Sequence, residues 1–329
     1  MMNTLIEQFP AQLKKALEIG ASAEINQHEF EINKIYIAGM GGSAIGGDFV
    51  SQFVEEECKV PVITSKKYNL PSCIDQHTLV ITSSYSGNTE ETVAVFKSCI
   101  HTGAKMVVIS SGGRLQELAQ ENKVDFIQLP AGSPSPRSCL GYSVVTQLYV
   151  LIHLNLISSN VVDDIKAASE LLKFDQDDVK EKAKKVAQAF YKKTPVIYTD
   201  ARMEAVALRY KQQICENAKQ LCWYHVFPEM NHNELVGWKD QRNDLAILFL
   251  RNRDDLRRNA VRMDICIEII SGLCDTVLEV YSKGQSLIEK TFYFVHLGDW
   301  ISWYLSQLRG VDAIEIDVID FLKKELSQI

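Results

Sequence analysis

The sequence has no run of about 18 uncharged apolar residues, so no membrane-spanning helix is expected. Its opening stretch, MMNTLIEQFPAQLKKALEIG, lacks a long apolar core and carries acidic residues at amphipathic spacing, and it does not read as a signal peptide. Proline is scarce, at eight residues, and no low-complexity tract interrupts the chain, which argues against disorder. Positive charge is also in short supply. The 35 Lys and Arg residues are outnumbered by 42 Asp and Glu, and the net charge of −7 speaks against a nucleic-acid partner. The eight cysteines form no CxxC pair and no zinc-type spacing, so they read as buried reduced thiols in a cytoplasmic protein.

What is present is an ordinary globular composition, with 46% apolar and 23% charged residues over 329 positions, enough for two medium domains. Short β-branched runs stand at KIYIA (34–38), VPVIT (60–64), TLVITSS (78–84), KMVVIS (105–110) and DFIQL (125–129). Helical patterns separate them. After the Pro- and Ser-rich loop PAGSPSPRSCLGYS come helical stretches near 144–156 and 161–192, and then the rhythm restarts with strands at 195–199, 245–250 and 276–281. Strands alternating with helices imply a parallel sheet flanked by helices. The expected architecture is α/β: two lobes, residues 1–157 and 158–329, each a three-layer αβα unit, joined by a helical linker.

Two turns are chemically suggestive. Gly39 to Gly47 holds five glycines in nine residues directly after the first strand, and Gly39, Gly41 and Ala44 match the spacing of a dinucleotide fingerprint. The ribose-binding acid that usually ends the next strand is missing, because that strand runs into SKKYN, and Glu55 to Glu57 fall in an expected helix end. A dinucleotide, a phosphorylated small molecule and a purely structural turn all remain open from these glycines alone. The second turn, SSYSGNTEET, sets Ser84, Ser86 and Thr89 around a glycine before a helix. Hydroxyls, turn amides and a helix N-terminus together form an anion cradle, although Thr89 also reads as a plain N-cap.

GMGGSAIGGD followed by SYSGNTEET resembles the sugar isomerase (SIS) domain, an α/β fold that binds phosphorylated sugars. The resemblance implies phosphate contacts from Ser84, Ser86 and Thr89, with Gly41, Gly42 and Ser43 bordering the sugar.

In the second half, YKQQICENAKQLCWYHVFPEMNHNELVGW leaves a helix for a loop bearing Glu216, Pro228, Glu229, His232, Asn233 and Glu234. A carboxylate and a histidine are the minimum for moving protons on a sugar. Taken singly, His232 also reads as an ordinary surface histidine and Glu216 as a solvated carboxylate. Glu229, His232 and Glu234 lack clean metal-ligand spacing. With the phosphate turns, ENAK and PEMNHNELVGW resemble one branch of the SIS family, the bifunctional phosphoglucose and phosphomannose isomerases. PRSCLGY and RGVDAIEIDVIDFLKKEL fit the same branch, so the resemblance spans essentially the whole chain.

That resemblance implies Glu216 as the base, His232 in ring opening, Arg137 beside the reacting carbons, and a lysine at Lys323 or Lys324, with Lys323 following the leucine of IDFLK. It further implies a sugar-phosphate substrate, no metal, no redox cofactor, a site between the lobes, and a homodimer whose partner lends His232. Relatives often read GVDP and then a small hydroxyl residue, whereas this chain has Gly310, Val311, Asp312, Ala313 and Ile314, a departure that bears on mannose 6-phosphate. Rival readings are a non-catalytic sugar-phosphate sensor, an SIS enzyme for amino sugar or pentose phosphates, and an NAD enzyme.

Overall fold

In the computed structural model, which describes residues 1–328, nearly every β-branched run becomes a strand. The chain divides into two units. An amino-terminal unit comprises Gln8–Leu171 with Ser286–Glu289; a carboxy-terminal unit takes Met1–Glu7, Leu172–Gln285 and the residues from Lys290 onward. The chain starts with α1 (Met2–Glu7), a piece of the carboxy-terminal unit, and α2 (Phe9–Ala21), the first helix of the other.

The amino-terminal unit then runs β1 (Lys34–Ala38), α3 (Gly41–Val54), β2 (Val62–Ser65), β3 (Thr78–Ser83), α4 (Glu90–Cys99), β4 (Lys105–Ser110), α5 (Gly113–Asn122) and β5 (Asp125–Gln128). A one-turn 3-10 helix (Pro136–Cys139) leads into α6 (Leu140–His153), and α7 (Asn160–Phe174) follows. The strands form one parallel sheet in the order β2-β1-β3-β4-β5, with Ile37 level with Thr64 on one side and Ile81 on the other. Every residue of β3 and β4 is buried, as expected of strands covered by helices on both faces. On one face Tyr36, Val80 and Val108 meet Val95 and Phe96 of α4 and Leu115 of α5. α3 and α6 pack on each other and on the sheet. They cross so closely that a β-carbon on Gly46 would lie 2.3 Å from Ser143 Oγ.

The carboxy-terminal unit continues with α8 (Gln176–Phe190), β6 (Thr194–Asp200), α9 (Glu204–Ala218), β7 (Trp223–Phe227), β8 (Leu245–Arg251), α10 (Arg257–Ser271), β9 (Val277–Tyr281), α11 (Leu287–Arg309) and α12 (Asp317–Leu326). Its parallel sheet has the order β7-β6-β8-β9. α10 covers one face, packing Met263, Cys266 and Ile270 on Val196, Tyr198, Ile247 and Phe249.

The helical stretch expected over 161–192 is two helices, broken at Asp175, whose carboxylate is held 2.9 Å from Lys283. β7 replaces what the sequence presents as loop. WYHVF has one β-branched residue, and three of its five positions are only half-buried, so its apolar signal is weak. All eight cysteines are free and five are buried, but Cys73 is exposed, a correction to the expectation of uniformly buried thiols. Among the described residues no helix is long and apolar enough to cross a membrane.

Candidate active site

In an open parallel sheet, ligands bind outside the strand C-termini, where the strand order reverses direction. In the amino-terminal unit that point lies between β1 and β3. The glycine turn follows β1 and the hydroxyl loop follows β3, so the two motifs singled out from sequence emerge side by side. A β-carbon on Gly39 would sit 2.9 Å from the Ser83 carbonyl oxygen, which leaves no room for a side chain between the two strand ends. One at Gly42 would lie 3.4 Å from Arg137 Cα, so the Pro136–Cys139 turn lies against the start of α3. Arg137 and Ser43 are buried there, while Gly41 is exposed.

The hydroxyl loop is held from within. Ser84 Oγ accepts from the Gly87 amide at 3.2 Å and shares a 2.8 Å hydrogen bond with Thr89 Oγ1. Thr89 occupies the N-cap position of α4, yet its side chain makes no cap bond. Ser86 is exposed, and its Oγ accepts from the Asn88 amide. From outside, the β4–α5 turn clamps the loop. The Leu115 amide donates to Gly87 O at 2.9 Å and the Arg114 amide to Asn88 Oδ1 at 2.9 Å. Gly41, Gly42, Ser43, Ser84, Ser86, Thr89 and Arg137 are thus gathered around one switch point.

The second sheet reverses direction between β6 and β8, and that position is closed. Asp200, buried at the end of β6, accepts from Asn259 Nδ2 at 2.7 Å and from the Arg202 amide at 2.9 Å. Just beyond β8, Asn252 donates twice to Asp255, at 2.8 and 2.9 Å. Burial pushes the Asp255 carboxyl above the usual carboxylate range, with the Asp200 charge adding to the rise. Two acids and no glycine turn are the wrong lining for a phosphate.

Glu216 lies half-buried in the last turn of α9. Lys219, in the left-handed conformation that ends the helix, sends Nζ to Glu216 O at 2.7 Å and to Glu315 O at 2.6 Å. It therefore ties the end of this helix to the segment leading into α12. Sequence reasoning did not find Lys219; a lysine three residues after a candidate acid carries no mark of such a bridge. Lys323 and Lys324 are both exposed on α12, which buries no residue, and Lys323 Nζ is 3.4 Å from Asp320.

Beyond β7 a cis peptide joins Phe227 to Pro228 and leads into two 3-10 turns, Glu229–His232 and Glu234–Gly237. Most of the polar residues of this stretch, Asn231 among them although the sequence did not single it out, hold the loop together. Asn231 Nδ2 donates to Cys266 Sγ, and its Oδ1 accepts from Arg262. Asn233 Nδ2 donates to Glu229 at 2.7 Å, and Glu234 accepts from Tyr198 OH and from Trp223 Nε1. His232 is exposed, with no hydrogen-bond partner among the described residues. No cluster of three or more His, Cys, Asp or Glu able to hold a metal occurs among the described residues.

Residues 179–326 match the bacterial phospho-glucose isomerase C-terminal SIS domain. The chain is 39% identical over 334 aligned positions to a bifunctional phosphoglucose/phosphomannose isomerase of Caldicellulosiruptor bescii, covering 98% of each chain. A second bifunctional phosphoglucose/phosphomannose isomerase, from Aquifex aeolicus, is 35% identical, covering 89% of this chain and 90% of the relative. In fold it is similar to the C-terminal domain of glucosamine-fructose-6-phosphate aminotransferase from Francisella tularensis, with a TM-score of 0.75 at 13% identity, covering 95% of this chain and 97% of the other. The chain belongs to the bifunctional phosphoglucose/phosphomannose isomerase family of SIS-domain proteins.

Proposed function

We propose that this protein interconverts glucose 6-phosphate and mannose 6-phosphate with fructose 6-phosphate through a cis-enediolate. The observation that carries the reading is the pairing of a glycine turn with a self-bonded hydroxyl loop at the β1/β3 switch point. Ser84, Ser86, Thr89 and the loop amides take the phosphate dianion, and Gly41, Gly42 and Ser43 border the sugar. This remote grip lowers the entropy lost in aligning the reacting carbons.

Glu216 removes the proton from C2 and returns it to C1. The charge that develops on the enediolate oxygens calls for a fixed cation, and Arg137, buried against the glycine turn, is the residue we assign to it. His232 carries the proton between ring oxygen and anomeric hydroxyl, with Lys323 assisting. Hydrogen moves within one substrate molecule, so the chemistry requires neither a redox cofactor nor a metal. We read the protein as a cytoplasmic homodimer; eight free thiols fit a reducing compartment. Ala313 is buried and Ile314 half-buried where relatives often have proline and a hydroxyl residue.

Glu216→Gln tests the assignment. Turnover of both aldose phosphates in a coupled assay is expected to fall by about 10²–10⁴-fold while sugar-phosphate binding is retained. Near wild-type kcat in this variant would remove Glu216 from the base role.

A further inference from the structure

His232 makes no hydrogen bond of its own among the described residues, yet the chain just after it is fastened residue by residue. The 3-10 turn that carries it is thinly bonded, with the Asn231 amide 3.0 Å from Pro228 O and the Asn233 amide 3.5 Å from Met230 O. The shape of the loop therefore falls to its side chains. Asn233 Oδ1 accepts from the Glu234 amide at 2.6 Å and from His225 Nε2 at 3.1 Å, while its Nδ2 donates to Glu229. The direction of the His225 bond follows from the other ring nitrogen, because Nδ1 accepts from the Val226 amide at 2.8 Å and so carries no proton.

Glu234 reaches further in. Its Oε1 accepts from the Tyr198 hydroxyl, within β6, and from Trp223 Nε1 at 3.4 Å, at the start of β7. Trp238 Nε1 donates to the same Tyr198 hydroxyl at 3.2 Å, so one fully buried tyrosine holds the loop at residues 234 and 238. We propose that Glu234, anchored by Tyr198, is a positioning residue for the isomerase reaction: it pins the loop to the sheet and thereby sets where His232 presents its imidazole to the sugar ring. Proton transfer needs its partners within hydrogen-bond reach, and a misplacement of about 1 Å can cost about 10²-fold. A histidine without bonds of its own takes its place from the backbone, and two residues on that backbone is tied to a central strand. Both side-chain donors converge on Oε1, so the anchor needs an acceptor and not a charge.

The inference rests on the ring-opening role of His232, and steady-state kinetics with cyclic glucose 6-phosphate tests the two separately. Glu234→Ala and Tyr198→Phe should each lower kcat about tenfold or more, with KM within about threefold of wild type because the residues assigned to the phosphate are untouched. Glu234→Gln, which keeps an acceptor for Tyr198, should retain kcat within about threefold. His232→Ala combined with Glu234→Ala should be no slower than His232→Ala alone, since residues that act through one group do not add. Tyr198→Phe in place of Glu234→Ala gives the same cycle without removing a side chain from the loop, and circular dichroism checks the fold of each variant. Near wild-type kcat in His232→Ala would overturn the ring-opening role and this inference with it. A slow His232→Ala beside an unimpaired Glu234→Ala would keep that role and overturn the positioning. Losses that multiply in the double variant would mean that Glu234 acts apart from His232. Glu234→Gln as slow as Glu234→Ala would make the carboxylate itself the working group, and either result overturns the positioning role.

Discussion

Thr89 shows how far a residue's role departs from its position. A threonine before a helix normally caps it, and this one stands at the N-cap of α4, but its hydroxyl is spent on Ser84. Within the pair one hydroxyl donates to the other, which leaves one O–H free to donate elsewhere. Gly87 keeps that loop in shape. Its φ is +69°, and a β-carbon there would fall 1.7 Å from the Gly112 carbonyl oxygen. Gly87→Ala must therefore push apart the two turns that clamp each other. It is expected to lower stability by about 2 kcal/mol or more and to raise KM for sugar phosphates about tenfold, read by urea denaturation and by steady-state kinetics. His232 poses the opposite case. Because it is exposed and unbonded, His232→Ala should leave stability within about 0.5 kcal/mol. Turnover of cyclic glucose 6-phosphate should nonetheless fall about 10²-fold. Unchanged turnover would return it to the ordinary surface histidine that its sequence context equally suggests.

At the scale of elements, the two sheets share parallel topology and differ at their switch points. One is left open by glycine and hydroxyl residues; the other is filled by Asp200, Asn259, Asn252 and Asp255. That contrast is why the proposal puts the phosphate on the amino-terminal unit. The carboxy-terminal unit instead carries Glu216 on α9, and α9 is keyed to α11 by a buried polar seam. Arg209 reaches Asp299 through Nε at 3.2 Å and Nη2 at 3.0 Å, Gln213 donates to the same carboxylate at 2.8 Å, and Asn217 donates to Ser302 at 2.8 Å. Arg209 and Asp299 are 1% and 8% exposed, so removing one strands the other's charge in the core. Asp299→Ala should cost about 3–5 kcal/mol in a urea titration, with Asp299→Asn costing less. A loss below about 1 kcal/mol would mean that water reaches the guanidinium.

For the whole molecule, stability should depend on pH through His296 of α11. Burial, reinforced by the Lys180 charge, pushes its pKa down to about 3. Trp300 Nε1, which can only donate, points at His296 Nε2 at 3.2 Å, so that nitrogen holds a lone pair and the ring is neutral. The unfolded chain protonates this histidine near its ordinary 6.5 while the folded chain does not. Stability is therefore unaffected by this group above pH 6.5 and falls progressively between 6.5 and about 3. Urea unfolding at stepped pH should show that decline, and His296→Gln should remove part of its slope. Equal slopes for the two proteins would assign acid sensitivity to the carboxylates.

Much of this was legible in the residues themselves. Alternating β-branched and amphipathic runs determined the parallel α/β architecture, and the glycine turn, the hydroxyl loop and the ENAK and PEMNHNE stretches determined the family, because turn chemistry and helix periodicity act over a few positions. Strand order did not follow from such local signals. That β3 lies beside β1, with β2 on its far side, depends on pairings between residues some forty apart, such as Ile37 with Ile81. Only that pairing brings the glycines and the hydroxyls to one point. The same holds for Arg209 with Asp299, whose attraction across 90 positions appears only once burial has removed water from both.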